Sequence, residues 1–216
     1  MFKSLDMLKL RLLGLPLLLL SSFLLGQAPD PAILKVKAPP VFRAVFTTTK
    51  GDFTIEAIRK WSPLGVDRLY QLIKSGFFTN ALLFRVEPEY VTQFGISENY
   101  DANRFWDPKK LADEPMLHKN TRGMISFARD GKNNRATQLF INNRDNPKLD
   151  MLEKGGLVGF TPVAHVIKGL EVTDKFYARY GRRPAQIQDS LYKYGNRYFE
   201  QNFPGLDKIL HVRIVK

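Results

Sequence analysis

Apolar and polar residues alternate over residues 53–58, where Phe53, Ile55 and Ala57 are set against Thr54, Glu56 and Ile58. A period of two puts alternate side chains on one face of a strand. Residues 41–49, VFRAVFTTT, are rich in β-branched and aromatic side chains and predict a partner strand, joined through a Lys50-Gly51-Asp52 turn. The period then lengthens. Ser62 stands where an N-cap belongs and Pro63 at the first helical position. Leu64, Leu69, Leu72 and Ile73 follow at near-helical spacing, Val66 and Tyr70 widen the stripe, and Gly76 closes it. Residues 82–95, 124–128, 138–142 and 157–166 read as strands, and residues 98–115, with Trp106, as an irregular polar connection. A second helix is predicted over 170–177. A C-terminal helix over 188–203 carries Leu191, Tyr194, Tyr198 and Phe199 and is stopped by Pro204-Gly205. Residues 210–215 alternate and form a closing strand. The sum is a mainly β chain: a closed antiparallel β-barrel capped by two α-helices, plus an extra C-terminal helix. Closure would remove the aggregation-prone edges of so many β-rich segments.

Composition adds three constraints. With 216 residues, 44% hydrophobic and 12% aromatic, the chain builds a real core and is not globally disordered. It has no cysteine, which excludes disulfides, thiol catalysis and thiolate metal sites. The formal net charge is +12, of which Lys3, Lys9 and Arg11 against Asp6 contribute +2 within residues 1–28. The other +10 is scattered, with short clusters such as Lys109-Lys110 and Arg182-Arg183, and reads as a solvated surface rather than a nucleic-acid stripe. Contact with a membrane surface through these basic groups or the N-terminus stays open.

The N-terminus speaks to compartment. The basic start precedes LLGLPLLLLSSFLL, residues 12–25, which is shorter than the ~20 apolar residues of a comfortable span. Residues 1–28 are expected to be a signal peptide or, failing cleavage, an inner-membrane anchor. Residues 29–40, with Pro29, Pro31, Pro39 and Pro40, form a Pro-rich linker, and residues 41–216 the folded domain. Export to the periplasm or beyond follows as an expectation, and so does a monomer.

Candidate chemistry concentrates in two stretches. FRVEPEYVTQFG, residues 84–95, places Arg85, Tyr90, Val91 and Gln93 on two short strand pieces joined at Pro88. Strand alternation aims a guanidinium, an amide and apolar groups at one shallow surface. MISFARDGKNNRATQLFINN, residues 124–143, supplies a strand, a polar loop and a second strand carrying Gln138 and Phe140. Other chemistries lack their motifs. His118, His165 and His211 are widely spaced with no HExxH pattern, and the chain has no GxSxG and no Gly-rich phosphate loop.

These two stretches resemble the active-site face of the cyclophilin peptidyl-prolyl isomerases. The order of elements over residues 41–166 is similar to that of a bacterial cyclophilin, and GNRYFEQNFPGLDKI, residues 195–209, resembles the extended C-terminus of one exported bacterial subfamily. The resemblance implies isomerisation of X-Pro bonds in proline-containing polypeptides, without cofactor or metal. It implies Arg85 as the catalytic arginine and Gln93 as a contact to the substrate backbone. Tyr90, Val91, Phe140, Leu149 and Phe160 would wall the proline pocket. Ala128 and Arg129 would lie along the peptide groove, Arg129 offering its main chain, and Gln138 would hold the site from its edge. Several positions depart from the best-known members. Val91 stands where many have Met, Phe160 where His is common, Arg129 where Asn is frequent, and Lys148 where some have a Trp that touches cyclosporin. Glu87 and Glu89 flank Pro88 where apolar residues and Gly are usual. The alternatives are a proline-segment binding chaperone with little turnover, or an envelope scaffold using the basic surface.

Overall fold

The predicted hairpin forms, and its alternation decides what faces inward. A computed structural model describes residues 28–154 and 157–215. The expected leader or anchor over residues 1–28 therefore lies outside the described residues, apart from Ala28. Strand β1 (Val41–Thr48) pairs antiparallel with β2 (Gly51–Ile58), setting Phe42 opposite Ala57, Ala44 opposite Ile55 and Phe46 opposite Phe53. All six are buried, and the Phe46 and Phe53 rings stack 4.9 Å apart. Directly opposed side chains on one face are the pairs that stabilise a sheet.

The remaining strands extend both edges of this hairpin. They are β3 (Ala81–Leu82), β4 (Arg85–Val86), β5 (Val91–Phe94), β6 (Met124–Phe127), β7 (Leu139–Asn142), β10 (Pro162–Lys168) and β11 (Lys208–Val215). They form one curled nine-stranded sheet of order β3-β11-β1-β2-β10-β6-β7-β5-β4, antiparallel at every pairing. Its two edge strands, β3 and β4, are neighbours in sequence, separated only by Leu83 and Phe84. The expected barrel is thus closed by the chain itself, not by a ladder of hydrogen bonds between β3 and β4. A separate two-stranded hairpin, β8 (Glu153–Lys154) with β9 (Leu157–Val158), projects beside the sheet.

This closing stretch is buried on both sides. Ala81, Leu83 and Val86 join the barrel core, which includes Val66, Leu72, Phe78, Phe94, Phe127 and Leu139. Leu82 and Phe84 point the other way, into a second cluster with Ile96, Leu191, Phe199, Phe203 and Leu206. That second cluster fixes the C-terminal helix α5 (Gln188–Asn202) to the outside of the sheet. Burying each of its large side chains contributes roughly 1.5–3 kcal/mol.

Helix α1 (Pro63–Lys74) covers the barrel with Val66, Leu69, Leu72 and Ile73, and ends at Gly76 in the left-handed conformation, φ +67°. Its N-terminus differs from expectation. Ser62 makes no capping bond through its side chain. Its hydroxyl donates to Glu114, whose carboxylate also accepts the N–H groups of Leu64 (2.7 Å) and Gly65 (3.1 Å) and pairs with buried Arg135 (3.0 Å). A carboxylate from a distant loop, with a full charge to set against the helix dipole, displaces the local hydroxyl from the cap.

Other departures have local causes. Residues 98–115 contain a helix, α2 (Tyr100–Trp106), capped by Asn99, whose side chain accepts from the N–H groups of Asp101 and Ala102. It buries Trp106 with the Arg68 guanidinium 4.9 Å from its ring. A short helix α3 (Pro147–Met151) delivers Leu149. The strand expected over 157–166 is broken at Gly159, φ +77°, into β9 and β10. Helix α4 (Leu170–Thr173) is one turn long. Gly195, φ +69° and ψ −171°, splits α5 into two helical pieces. The Pro-rich residues 29–40 lie against α1: a 3-10 turn spans Pro31–Lys35, Gln71 donates to the carbonyls of Leu34 and Val36, and Ala38 N–H donates to Asp67. Among the described residues no helix is long and apolar enough to cross a membrane.

Candidate active site

Register sets one row of side chains across three strands. Arg85 on β4 lies opposite Gln93 on β5, and Gln93 lies opposite Phe140 on β7. Opposed residues share a face, and Val91, two positions from Gln93, shares it too. The turn over Glu87–Tyr90, closed by Tyr90 N–H to Glu87 O at 2.9 Å, brings the Tyr90 ring to 5.2 Å from the Arg85 guanidinium carbon. Ala128 extends β6 and its N–H donates to Gln138 O. Leu149 and Phe160 arrive from α3 and from the segment after β9.

All ten residues singled out from the sequence line one groove of about 820 Å³. That is within the range of small-ligand and peptide pockets. One part of it is apolar. Val91, Phe140, Leu149 and Phe160 are buried together with Tyr90 and Ala128 packed against them, and the Phe140 and Phe160 rings meet edge to face at 5.5 Å. The Arg129 side chain is buried behind this basin. Its guanidinium lies 4.8 Å from the Phe160 ring and donates to the carbonyls of Leu157 and Gly159. Burial draws its pKa below the usual arginine range, an effect that Asp113 opposes and Arg135 reinforces.

The polar part is a chain of hydrogen bonds. Arg85 Nε donates to Glu87 at 2.6 Å and Nη1 to Gln93 Oε1 at 3.2 Å. Gln93 Nε2 donates to Gln138 Oε1 at 2.7 Å, and Gln138 Nε2 to Gln188 Oε1 and to Tyr192 Oη, both at 3.1 Å. Arg85 Nη2 has no partner among the described residues, so the guanidinium is held on two sides and keeps a donor for a ligand. Burial pushes the Tyr90 phenol up, an effect the Arg85 charge opposes and Glu87 reinforces.

The reading from sequence missed several contributors to this groove. Gln188, Asp189 and Tyr192 come from α5, and Tyr100, Arg104 and Asp107 from the α2 region. The spacing of Gln188 and Tyr192, four apart on a helix, does put them on one face, but nothing local says that the face meets Gln138. Glu87, noted only as a departure, is the partner of Arg85 Nε. Among the described residues no group of three or more His, Asp or Glu is placed to hold a metal. His118 and His165 pack on Trp61 instead.

Comparison with known proteins decides the family. The profile described as "Cyclophilin type peptidyl-prolyl cis-trans isomerase/CLD" matches residues 43–189, more than half of the chain. The chain belongs to the cyclophilin-type peptidyl-prolyl isomerases. Among the relatives of this cyclophilin, peptidyl-prolyl cis-trans isomerase A of Dickeya dadantii is 31% identical over 134 residues, covering 61% of this chain and 68% of the relative. The human peptidyl-prolyl cis-trans isomerase-like 3 is 30% identical over 132 residues, covering 59% and 77%. A crystal structure of a cyclophilin-type isomerase from Cryptosporidium parvum superposes with a TM-score of 0.60 at 17% identity, covering 82% of this chain and 98% of that one, which shows the shared fold. Most of α5, including Tyr192, lies beyond the residues that the family profile matches.

Proposed function

We propose that this cyclophilin isomerises X-Pro bonds by seating the proline ring in the basin of Val91, Phe140, Leu149 and Phe160 while Arg85 acts on the prolyl nitrogen. The uncatalysed rotation is slow because resonance gives the C–N bond partial double-bond character, with a barrier of ~18–20 kcal/mol. A donor that bonds the nitrogen lone pair as it pyramidalises favours the twisted state over either planar one, and only such differential binding accelerates the step. The observation that carries the reading is the Arg85 guanidinium, fixed by Glu87 and Gln93 beside the apolar basin with Nη2 unpartnered among the described residues. Gln93 is suited to bond the peptide backbone next to the proline, and Tyr90 and Ala128 to line its path. No side chain takes or gives a proton in this scheme.

The client polypeptides belong, in this reading, to the exported proteins of the cell, which the signal-like residues 1–28 support. Mass spectrometry of the protein from an envelope fraction of its host tests this. A mature chain lacking residues 1–28 is expected, whereas an intact chain confined to the cytosol overturns it.

The chemistry is tested by NMR exchange on a short X-Pro peptide with the full chain and its Arg85→Ala variant. Losing one preorganised donor costs about 10²–10³-fold in rate, so catalysis should nearly vanish while the fold persists. A folded wild type that binds the peptide without accelerating exchange would leave a proline-segment binding module instead.

A further inference from the structure

We propose that Tyr192, with Gln188, is a positioning residue that anchors the two-glutamine relay holding Arg85. This rests on the isomerase reading of the groove. A side-chain amide has one accepting end and one donating end, so two glutamines in series can run in either of two senses. In the sense present, Gln93 turns its Oε1 to Arg85 and its Nε2 to Gln138 Oε1. The reverse sense would set the Gln93 amino group against the guanidinium, donor facing donor, and Arg85 would lose its second anchor. The guanidinium, which can only donate, favours the sense present, provided that Gln138 can spare its Oε1 for Gln93.

The far end completes the relay. Gln138 Nε2 meets two acceptors, Tyr192 Oη and Gln188 Oε1, each at 3.1 Å. Both stand on the first part of α5, one turn apart, and Leu191 between them is buried in the cluster that fixes α5 to the sheet. Burial, partly offset by the Gln138 hydrogen bond, pushes the Tyr192 phenol up, which keeps this group neutral at physiological pH. An acceptor pair rigidly held against Gln138 Nε2 leaves Gln138 Oε1 for Gln93 and Gln93 Oε1 for Arg85. The extension thereby reaches the reacting centre through three hydrogen bonds, from a segment most of which the family profile does not cover.

The test uses the full chain and X-Pro exchange kinetics. Tyr192→Phe removes one acceptor and should lower kcat about threefold to tenfold, the effect of one lost hydrogen bond, with KM changed less than twofold. Gln188→Lys, which puts a donor where an acceptor stood, should lower kcat more than Gln188→Glu, which keeps an acceptor. In a Gln93→Leu background, where the relay is already cut, Tyr192→Phe should have no further effect. An unchanged kcat for Tyr192→Phe, or an equal loss in both backgrounds, overturns the proposal, the second result meaning that Tyr192 only supports the fold. The side-chain amide resonances of Gln93 give a readout that needs no turnover. If they move in Tyr192→Phe while a folded wild type fails to isomerise, the relay stands and the isomerase reading of the groove falls. If they do not move, the relay falls.

Discussion

Replacing Glu114 by Ala should destabilise the protein far more than replacing Ser62 by Ala, the reverse of what the local sequence suggests. Read locally, Ser62 caps α1 and its loss would cost about 1 kcal/mol, while Glu114 belongs to a polar connection and would cost almost nothing. In the structure Glu114 accepts from Ser62, Leu64, Gly65 and Arg135. The Leu64 N–H can be taken over by water, since that residue is 39% exposed. Arg135 cannot be treated so lightly, because its side chain is only 3% exposed and would keep a buried charge without its carboxylate. Breaking a buried pair from one side costs about 3–5 kcal/mol. For a domain of this size each kcal/mol lowers Tm by about 2–4 °C, so Glu114→Ala should melt roughly 6–20 °C below wild type. Glu114→Gln, which keeps one acceptor oxygen, should fall between. Thermal and urea denaturation, both followed by fluorescence of Trp61 and Trp106, measure the fall in Tm and the free energy behind it. A Glu114→Ala variant within about 1 kcal/mol of wild type, or a costlier Ser62→Ala, would refute the assignment of the cap.

Three further outcomes are expected. Burial raises the Asp67 carboxyl, but the hydrogen bonds from Arg59, Ala38 N–H and Lys37 outweigh it and hold the pKa below the usual carboxylate range. A depressed carboxylate stabilises above its unfolded pKa and loses that contribution as pH falls through the folded one, so Asp67→Asn should cost about 1–3 kcal/mol at pH 7, with the gap to wild type closing below about pH 4 in denaturant titrations. The isomerisation rate should be nearly flat from about pH 6 to 8, because guanidinium stays charged there and both Tyr90 and Tyr192 are shifted further from ionisation; a bell-shaped profile would sink the proton-free mechanism. Gly95 has φ +104°, and a Cβ there would stand 2.4 Å from Thr137 O and 2.7 Å from Gln138 Cα, so Gly95→Ala should both lower Tm and impair catalysis by displacing Gln138, and a variant with wild-type kcat would show that the relay tolerates such a shift.

What was legible in the chain follows the range of the interactions. Strand alternation in 53–58 and the FRVEPEYVTQFG and TQLFINN stretches depends on neighbours two residues apart, and there the reading and the structure agree. Arg85, Gln93 and Phe140 fall in one row because register carries that alternation across strands. Helix α2 was missed although Asn99, Asp101 and the Ala102–Phe105–Trp106 spacing were in view, because polar residues and nearby prolines outweighed a helix of only two turns. The displaced cap at Ser62, the split at Gly195 and the union of α5 with Gln138 depend on partners about 50 residues away or on backbone angles, and no local pattern encodes them.

Two departures from the familiar members of the family turn out to be one. Arg129 and Phe160 replace a frequent Asn and a common His, and the structure stacks them, guanidinium carbon 4.8 Å from the ring. The same guanidinium draws in the carbonyls of Leu157 and Gly159. Gly159 is the residue that permits it: its φ is +77°, and any Cβ would lie 2.7 Å from Met116 Sδ and 2.9 Å from Asp150 O. Phe160 is thus pinned from behind by a cation and from the side by Phe140, where a His would instead offer a polar edge to the basin. The consequence is a drier pocket wall, supported by a charge that is itself buried and bonded. The costs of the two replacements are then linked. An Asn at 129 would leave the two carbonyls and one face of Phe160 without their partner, while a His at 160 would set a second titratable group beside a buried cation. A double-mutant cycle on stability between Arg129→Asn and Phe160→His should show coupling of at least about 0.5 kcal/mol, and strict additivity would mean that the two side chains do not support each other.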